Sequence, residues 1–135
     1  MSYAGDLGPQ AAFERLESDP NAILVDVRTP EEWQYVGVPD LGSIGKRVIG
    51  ISWPMPGQGT PQDFADRLGE LDADTPVLFI CRSGQRSRSA AITAAAAGFG
   101  EAYNVSEGFE GDLDPSGHRG SLSGWKAAGL PWRQT

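Results

Sequence analysis

The stretch Pro76-Val77-Leu78-Phe79-Ile80-Cys81-Arg82-Ser83-Gly84-Gln85-Arg86-Ser87 decides how this chain is read. Its apolar run 77–80, closed by proline on one side, predicts a buried strand. The run that follows, Ser89-Ala90-Ala91-Ile92-Thr93-Ala94-Ala95-Ala96-Ala97, predicts a helix, since alanine gives up no side-chain entropy there. Between the two lies a short polar loop that begins on Cys81, the one cysteine in 135 residues. The order is therefore strand, tight loop, helix, with a thiol on the first residue of the loop.

That order carries chemistry. The first amides of a helix have no intrahelical acceptors, and the aligned peptide dipoles place partial positive charge at that end. With Gly84 inside it, the loop can curl its N–H groups inward into an anion cradle. A thiol at the rim, near the guanidinium groups of Arg82, Arg86 and Arg88, is favoured as thiolate. The competing reading is a small buried hydrophobe, the commonest role of a lone cysteine. The strand before it, the glycine within the loop and the arginine five residues on turn the balance toward a reactive thiol.

Working outward, residues 9–17 predict a first helix with Ala12, Phe13 and Leu16 on one face, and residues 1–8 are expected to be frayed. Residues 22–27 form a second apolar run, hence a strand buried on both faces. Asp26 and Arg28 fall at its C-terminal end, where ligands gather in doubly wound sheets. The plainer reading of that pair is an ion pair steadying the loop. Thr29-Pro30-Glu31-Glu32 is a capping box opening a short helix. Residues 47–53 predict another strand, and Thr60-Pro61 opens a helix whose apolar face is Phe64, Leu68 and Leu71. The alanine-rich helix is expected to lie close to the sheet, so that a bulkier residue at Ala91 or Ala95 would clash. Residues 102–105 are a further strand and 106–111 its exit loop. Residues 112–123 are polar and rich in Gly and Ser, with His118 and Arg119. They read as a tolerated surface loop ahead of a flap beside the site. Trp125 and Trp132 are expected to pack the last helix onto the domain. Alternating strands and helices with short connections predict an α/β three-layer domain over residues 9–133, a mostly parallel central sheet with helices on both faces.

Composition sets limits. Apolar residues make up 39% and charged residues 21%, the balance of an ordinary globular protein. A net charge of −7 argues against binding a nucleic-acid backbone, while Arg82, Arg86 and Arg88 form a local positive spot suited to a small anion. One cysteine excludes an internal disulfide, and with a single histidine it excludes a CxxC pair or zinc knuckle, so neither metal nor cofactor is expected. Residues 1–10 lack the basic head and apolar run of a signal peptide. No segment has the length of a membrane-spanning helix. The expected address is the cytoplasm.

The loop Cys81-Arg82-Ser83-Gly84-Gln85-Arg86-Ser87, preceded by Val77-Leu78-Phe79-Ile80, resembles the active-site loop of rhodanese-domain sulfurtransferases. Leu24-Val25-Asp26-Val27-Arg28-Thr29-Pro30-Glu31-Glu32-Trp33 resembles that family's N-terminal signature, and Gly124-Trp125 with Ala128-Gly129-Leu130-Pro131 its closing segment. The likeness spans residues 11–132. The chain departs from it where Gly37-Val38-Pro39 lacks the histidine usual after the glycine, and in the insertion 112–123. The resemblance implies a rhodanese-like fold and Cys81 as nucleophile. Arg82, Ser83, Gly84, Gln85, Arg86 and Ser87 would bind a small anionic sulfur donor, supported by Asp26 and Arg28. Sulfane sulfur would pass from thiosulfate or a persulfide to cyanide or a thiol, including a protein thiol, with ping-pong kinetics. Two alternatives stand beside it. One is a binding or sulfur-relay module. The other is a cysteine phosphatase or arsenate reductase, disfavoured because the arginine follows the cysteine by five residues rather than six and a second cysteine is lacking.

Overall fold

The structure, a computed structural model, describes residues 3–134. Its strands are β1 (Gly5–Leu7), β2 (Ile23–Asp26), β3 (Val38–Pro39), β4 (Ile49–Gly50), β5 (Val77–Ile80), β6 (Ala102–Val105) and β7 (Trp132–Arg133). Its helices are α1 (Pro9–Ser18), α2 (Pro30–Tyr35), α3 (Pro61–Leu68), α4 (Gln85–Ala96) and α5 (Gly124–Ala127), with one 3-10 turn at Gly42–Ile44. Five strands form a sheet in the order β1-β6-β5-β2-β4, and every neighbouring pair is parallel.

Side chains alternate across a strand, and β5 shows the consequence. Val77, Phe79 and Cys81 join Val25, Val27, Phe64, Leu68, Ala90, Ala91 and Ala94 in one core, beneath α3 and α4. Leu78 and Ile80 join Ala12, Leu16, Leu24, Phe109 and Trp125 in the other, beneath α1 and α5. Both faces are covered, and for that reason β5 reads as an unbroken apolar run. The expected three-layer α/β architecture is the observed one. The predicted capping box at Thr29 forms, and the Thr60 cap turns out to be a second one: Thr29 accepts from the Glu32 amide and Thr60 from the Asp63 amide, each reciprocated by the acid.

Three expectations need correction. The segment expected to be frayed contains β1, which pairs alongside β6 from Gly5↔Tyr103 to Leu7↔Val105; Met1 and Ser2 lie outside the described residues. The strand expected over 47–53 is only Ile49–Gly50. Beyond it, Ile51 and Trp53 donate to the Asp26 and Val27 carbonyls without regular strand geometry. The central helix begins at Gln85 rather than Ser89, so Arg86 and Ser87 belong to its first turn. Trp125 is fully buried, its indole N–H donating to the Pro131 carbonyl at 2.6 Å, whereas Trp132 stays 40% exposed in an antiparallel ribbon of β3 and β7. Among the described residues no helix is long and apolar enough to cross a membrane.

Candidate active site

The site grows from the C-terminal end of β5. Cys81 continues that strand, the chain turns through Arg82, Ser83 and Gly84, and α4 begins at Gln85. Gly84 has a φ of 104°, and a Cβ there would collide with the Ser106 carbonyl. No other residue fits both demands. The turn brings the Gly84 amide to the thiol, donating to Cys81 Sγ at 3.1 Å. From below, the exit segment after β6 braces the loop. The Phe109 amide donates to the Cys81 carbonyl at 2.8 Å, and the Glu110 and Gly111 amides both donate to the Arg82 carbonyl at 3.0 Å. The Cys81 and Arg82 carbonyls are thus engaged by the exit segment, while the Gly84 amide turns to the thiol at the start of α4.

Cys81 itself is 1% exposed, at the bottom of this loop. Ser87 Oγ, also buried, lies 3.2 Å from Sγ. Arg82 and Gln85 are exposed at the rim, Ser83 and Arg86 are half-buried, and Gly84 is buried. Arg86 is not left to solvent. Its Nη1 and Nη2 donate to the two Glu32 oxygens at 2.7 and 3.0 Å, a bidentate pair linking α4 to α2. Burial raises the Glu32 carboxyl, but the Arg86 hydrogen bonds and the Thr29 amide outweigh it and hold the group at about 2. Arg86 is raised by the same pair. The guanidinium expected to reach for a donor is thus fixed in orientation, with its charge next to Cys81.

Asp26 and Arg28 do form an ion pair. Arg28 is fully buried; Nε and Nη2 donate to the Asp26 carboxylate, the shortest contact being 2.7 Å, and Nη2 also donates to the Gly37 carbonyl. The guanidinium carbon stands 4.4 Å from the centre of the Phe109 ring. Phe109 is the residue whose amide holds the Cys81 carbonyl, so the pair supports the loop through that ring. Insertion 112–123 winds around Asp114, which accepts from the Ser116 and His118 amides and from the Ser121 hydroxyl. Arg119 ties it to the Gly111 carbonyl, and His118 is exposed.

A family model described as the STR4 middle domain matches residues 5–135. A thiosulfate sulfurtransferase, GlpE of Pseudomonas syringae, is 32% identical over 92 residues, covering 68% of this chain and 73% of that protein. This chain belongs to the rhodanese-like family. An uncharacterized protein of Rickettsia conorii is 41% identical over 125 residues, 90% of this chain and 91% of its own. The crystal structure of Rv0390 from M. tuberculosis superposes with a TM-score of 0.90 at 50% identity, covering 99% of this chain and 100% of that one. A rhodanese-like domain from Anabaena shares the fold, with a TM-score of 0.62 at 21% identity over 100% of this chain and 81% of that one.

Within this rhodanese-like site, sequence reasoning missed Glu32 as the clamp on Arg86, and missed Asn104 and Asp6 altogether. Glu32 was read as a helix cap, and it is one; its second bond spans 54 residues. Asn104 did leave a signal, a polar residue at an inward position of the strand Ala102-Tyr103-Asn104-Val105. Asp6 left none, because β1 has no apolar pattern.

Proposed function

We propose that this chain is a sulfurtransferase that carries sulfane sulfur as a Cys81 persulfide, taking it from thiosulfate or a persulfide donor. The observation that carries the reading is Cys81 Sγ at the foot of a strand–loop–helix cradle, with the Gly84 amide on it and Arg86 fixed beside it. With thiosulfate, Sγ attacks the outer sulfur, the sulfur–sulfur bond of the donor breaks, and sulfite leaves with the electron pair. An acceptor thiolate or cyanide then attacks the outer sulfur of the persulfide, and Cys81 departs as thiolate. The loop amides and the first-turn amides of α4 stabilise negative charge on the outer sulfur, as an oxyanion hole does. Arg82 at the rim guides the donor's sulfonate oxygens, while Arg86 supplies charge from its clamp.

Burial of the thiol favours this chemistry over phosphoryl transfer. A slim terminal sulfur can reach a nucleophile at the bottom of a loop this tight; a tetrahedral phosphate needs the wider loop that one more residue provides. With one cysteine in the chain, the persulfide has no internal thiol to resolve it, so sulfur leaves to another molecule. A protein thiol is among the acceptors that fit.

Intact-mass analysis of reduced protein after thiosulfate treatment tests the reading. The expected result is a gain of one sulfur atom in the wild type, absent in Cys81→Ser and removed by cyanide or thiol. If mass is unchanged with thiosulfate, polysulfide and protein persulfide alike, the proposal is wrong and a non-catalytic binding module takes its place.

A further inference from the structure

A line of hydrogen bonds leads from the thiol to the edge strand β1. Cys81 Sγ contacts Ser87 Oγ at 3.2 Å, Ser87 Oγ lies 2.6 Å from Asn104 Oδ1, and Asn104 Nδ2 donates to Asp6 Oδ1 at 3.0 Å. Asp6 Oδ1 also accepts from the Tyr3 hydroxyl at 2.9 Å. Ser87 and Asn104 are buried, whereas Asp6 sits exposed on the edge strand β1.

Donor and acceptor rules fix the direction of this line. An ionised carboxylate only accepts, so Asp6 engages Asn104 through its amino group and turns Oδ1 toward Ser87. That oxygen also only accepts, and Ser87 has a single hydroxyl proton to give. With the proton committed to Asn104, Ser87 presents lone pairs to Sγ. It can accept from a thiol and has nothing to donate to a thiolate. We propose that Asp6 and Asn104 are positioning residues that lock the Ser87 hydroxyl as an acceptor toward Cys81. The inference rests on the reading of Cys81 as the sulfur carrier. The lock disfavours charge on Sγ but not on the persulfide, whose charge lies on the outer sulfur among the loop amides and whose Sγ is neutral. It therefore tilts the resting site toward accepting sulfur.

Arg86 on α4, with Glu32 of α2 behind it, is the charge beside Cys81; the other charges of the site are Arg82 on the loop, the Asp26–Arg28 pair after β2, and Lys126 of α5 on the Phe109 ring. Tyr3 bonds Asp6 and has Arg88 on it as well. All but Tyr3, which loses its acceptor in Asp6→Ala, keep their own partners when Ser87, Asn104 or Asp6 is changed, so differences between variants in the two Ser87 backgrounds isolate the lock.

The test is the pH dependence of Cys81 alkylation by iodoacetamide, followed by intact mass, which needs no sulfur donor and stands whether or not persulfide forms. Asn104→Ala removes the acceptor of the Ser87 proton, and Asp6→Ala releases the Asn104 amide to turn its Nδ2 toward Ser87 Oγ, so that each frees the proton to turn toward Sγ. A hydroxyl–thiolate hydrogen bond gained this way lowers the apparent thiol pKa by about one unit, about tenfold in thiolate fraction on the acid side. Ser87→Ala alone leaves that pKa unchanged or lower, because Ser87 supported the thiol. In the Ser87→Ala background, Asp6→Ala then has no effect. The proposal is overturned if Ser87→Ala raises the pKa, if neither Asn104→Ala nor Asp6→Ala moves it, or if Asp6→Ala acts equally in both backgrounds, as a through-space charge would. Should Asn104→Ala lose its fold by circular dichroism, the exposed Asp6 carries the test.

Discussion

Glu32 serves two elements at once. It closes the capping box of α2 and clamps Arg86 on α4, and both bonds require the ionised form. Its carboxyl, at about 2 against an ordinary carboxylate value near 4.3, is depressed on folding. The stability it contributes is therefore present above the ordinary value and is lost as pH falls through about 2. Asp19 and Asp114 are also held low, chiefly by the Asn21 and His118 amides, so the wild-type slope alone does not isolate Glu32. The difference from Glu32→Gln does. At neutral pH the variant should be less stable by about 1–3 kcal/mol in urea unfolding, with that gap closing between about pH 5 and pH 2. A gap that persists at pH 2 would mean the carboxylate is not what matters. The same residue marks the limit of reading a site from sequence. Cys81, Gly84 and the arginines are contiguous, and their strand–loop–helix context is visible locally. The cap role of Glu32 was equally local. Its pairing with Arg86, and the approach of Asn104 to Ser87, depend on which elements the sheet order places side by side.

At the scale of elements, legibility followed the strength of the local signal. β5 is apolar throughout, and β2 up to its last residue, Asp26, because helices cover both faces, and α2 and α3 announce themselves with Thr, Pro and an acid at the third position. β1 is Gly-Asp-Leu, with no pattern to see; it is a strand because β6 offers an open edge. α4 begins earlier than its alanines because Gly84, in a left-handed conformation, starts the helix through residues of ordinary propensity. The edge position of β1 gives a prediction. Truncation of residues 1–7 should remove the Leu7 carbonyl that accepts from the Ser106 amide at 3.0 Å. Hydrogen exchange at Ser106 should accelerate sharply while the amides of α3, which packs against α4, keep their protection. Uniform acceleration across the chain would mean instead that β1 belongs to the global folding unit rather than to a separable edge.

For the whole molecule the question is which charge a small anion meets. The chain carries a net −7, yet Arg82 stands exposed on the loop and Arg86 is fixed in the first turn of α4 beside Cys81. A divalent donor such as thiosulfate is repelled by the sum and attracted by the site. Coulomb energy falls with distance, and at physiological salt the screening length is about 8 Å, so the near arginines outweigh the scattered carboxylates. Arg86 is partly neutralised by Glu32, which leaves exposed Arg82 as the main source of attraction at the rim. Stopped-flow measurement of persulfide loading should show a second-order rate constant that falls as ionic strength rises. Arg82→Ala should lower that constant severalfold at low salt, with the two proteins converging at high salt. A wild-type rate that climbs with salt would show that the acidic surface governs approach. The donor would then be better sought among neutral or protein-bound sulfur than among free anions.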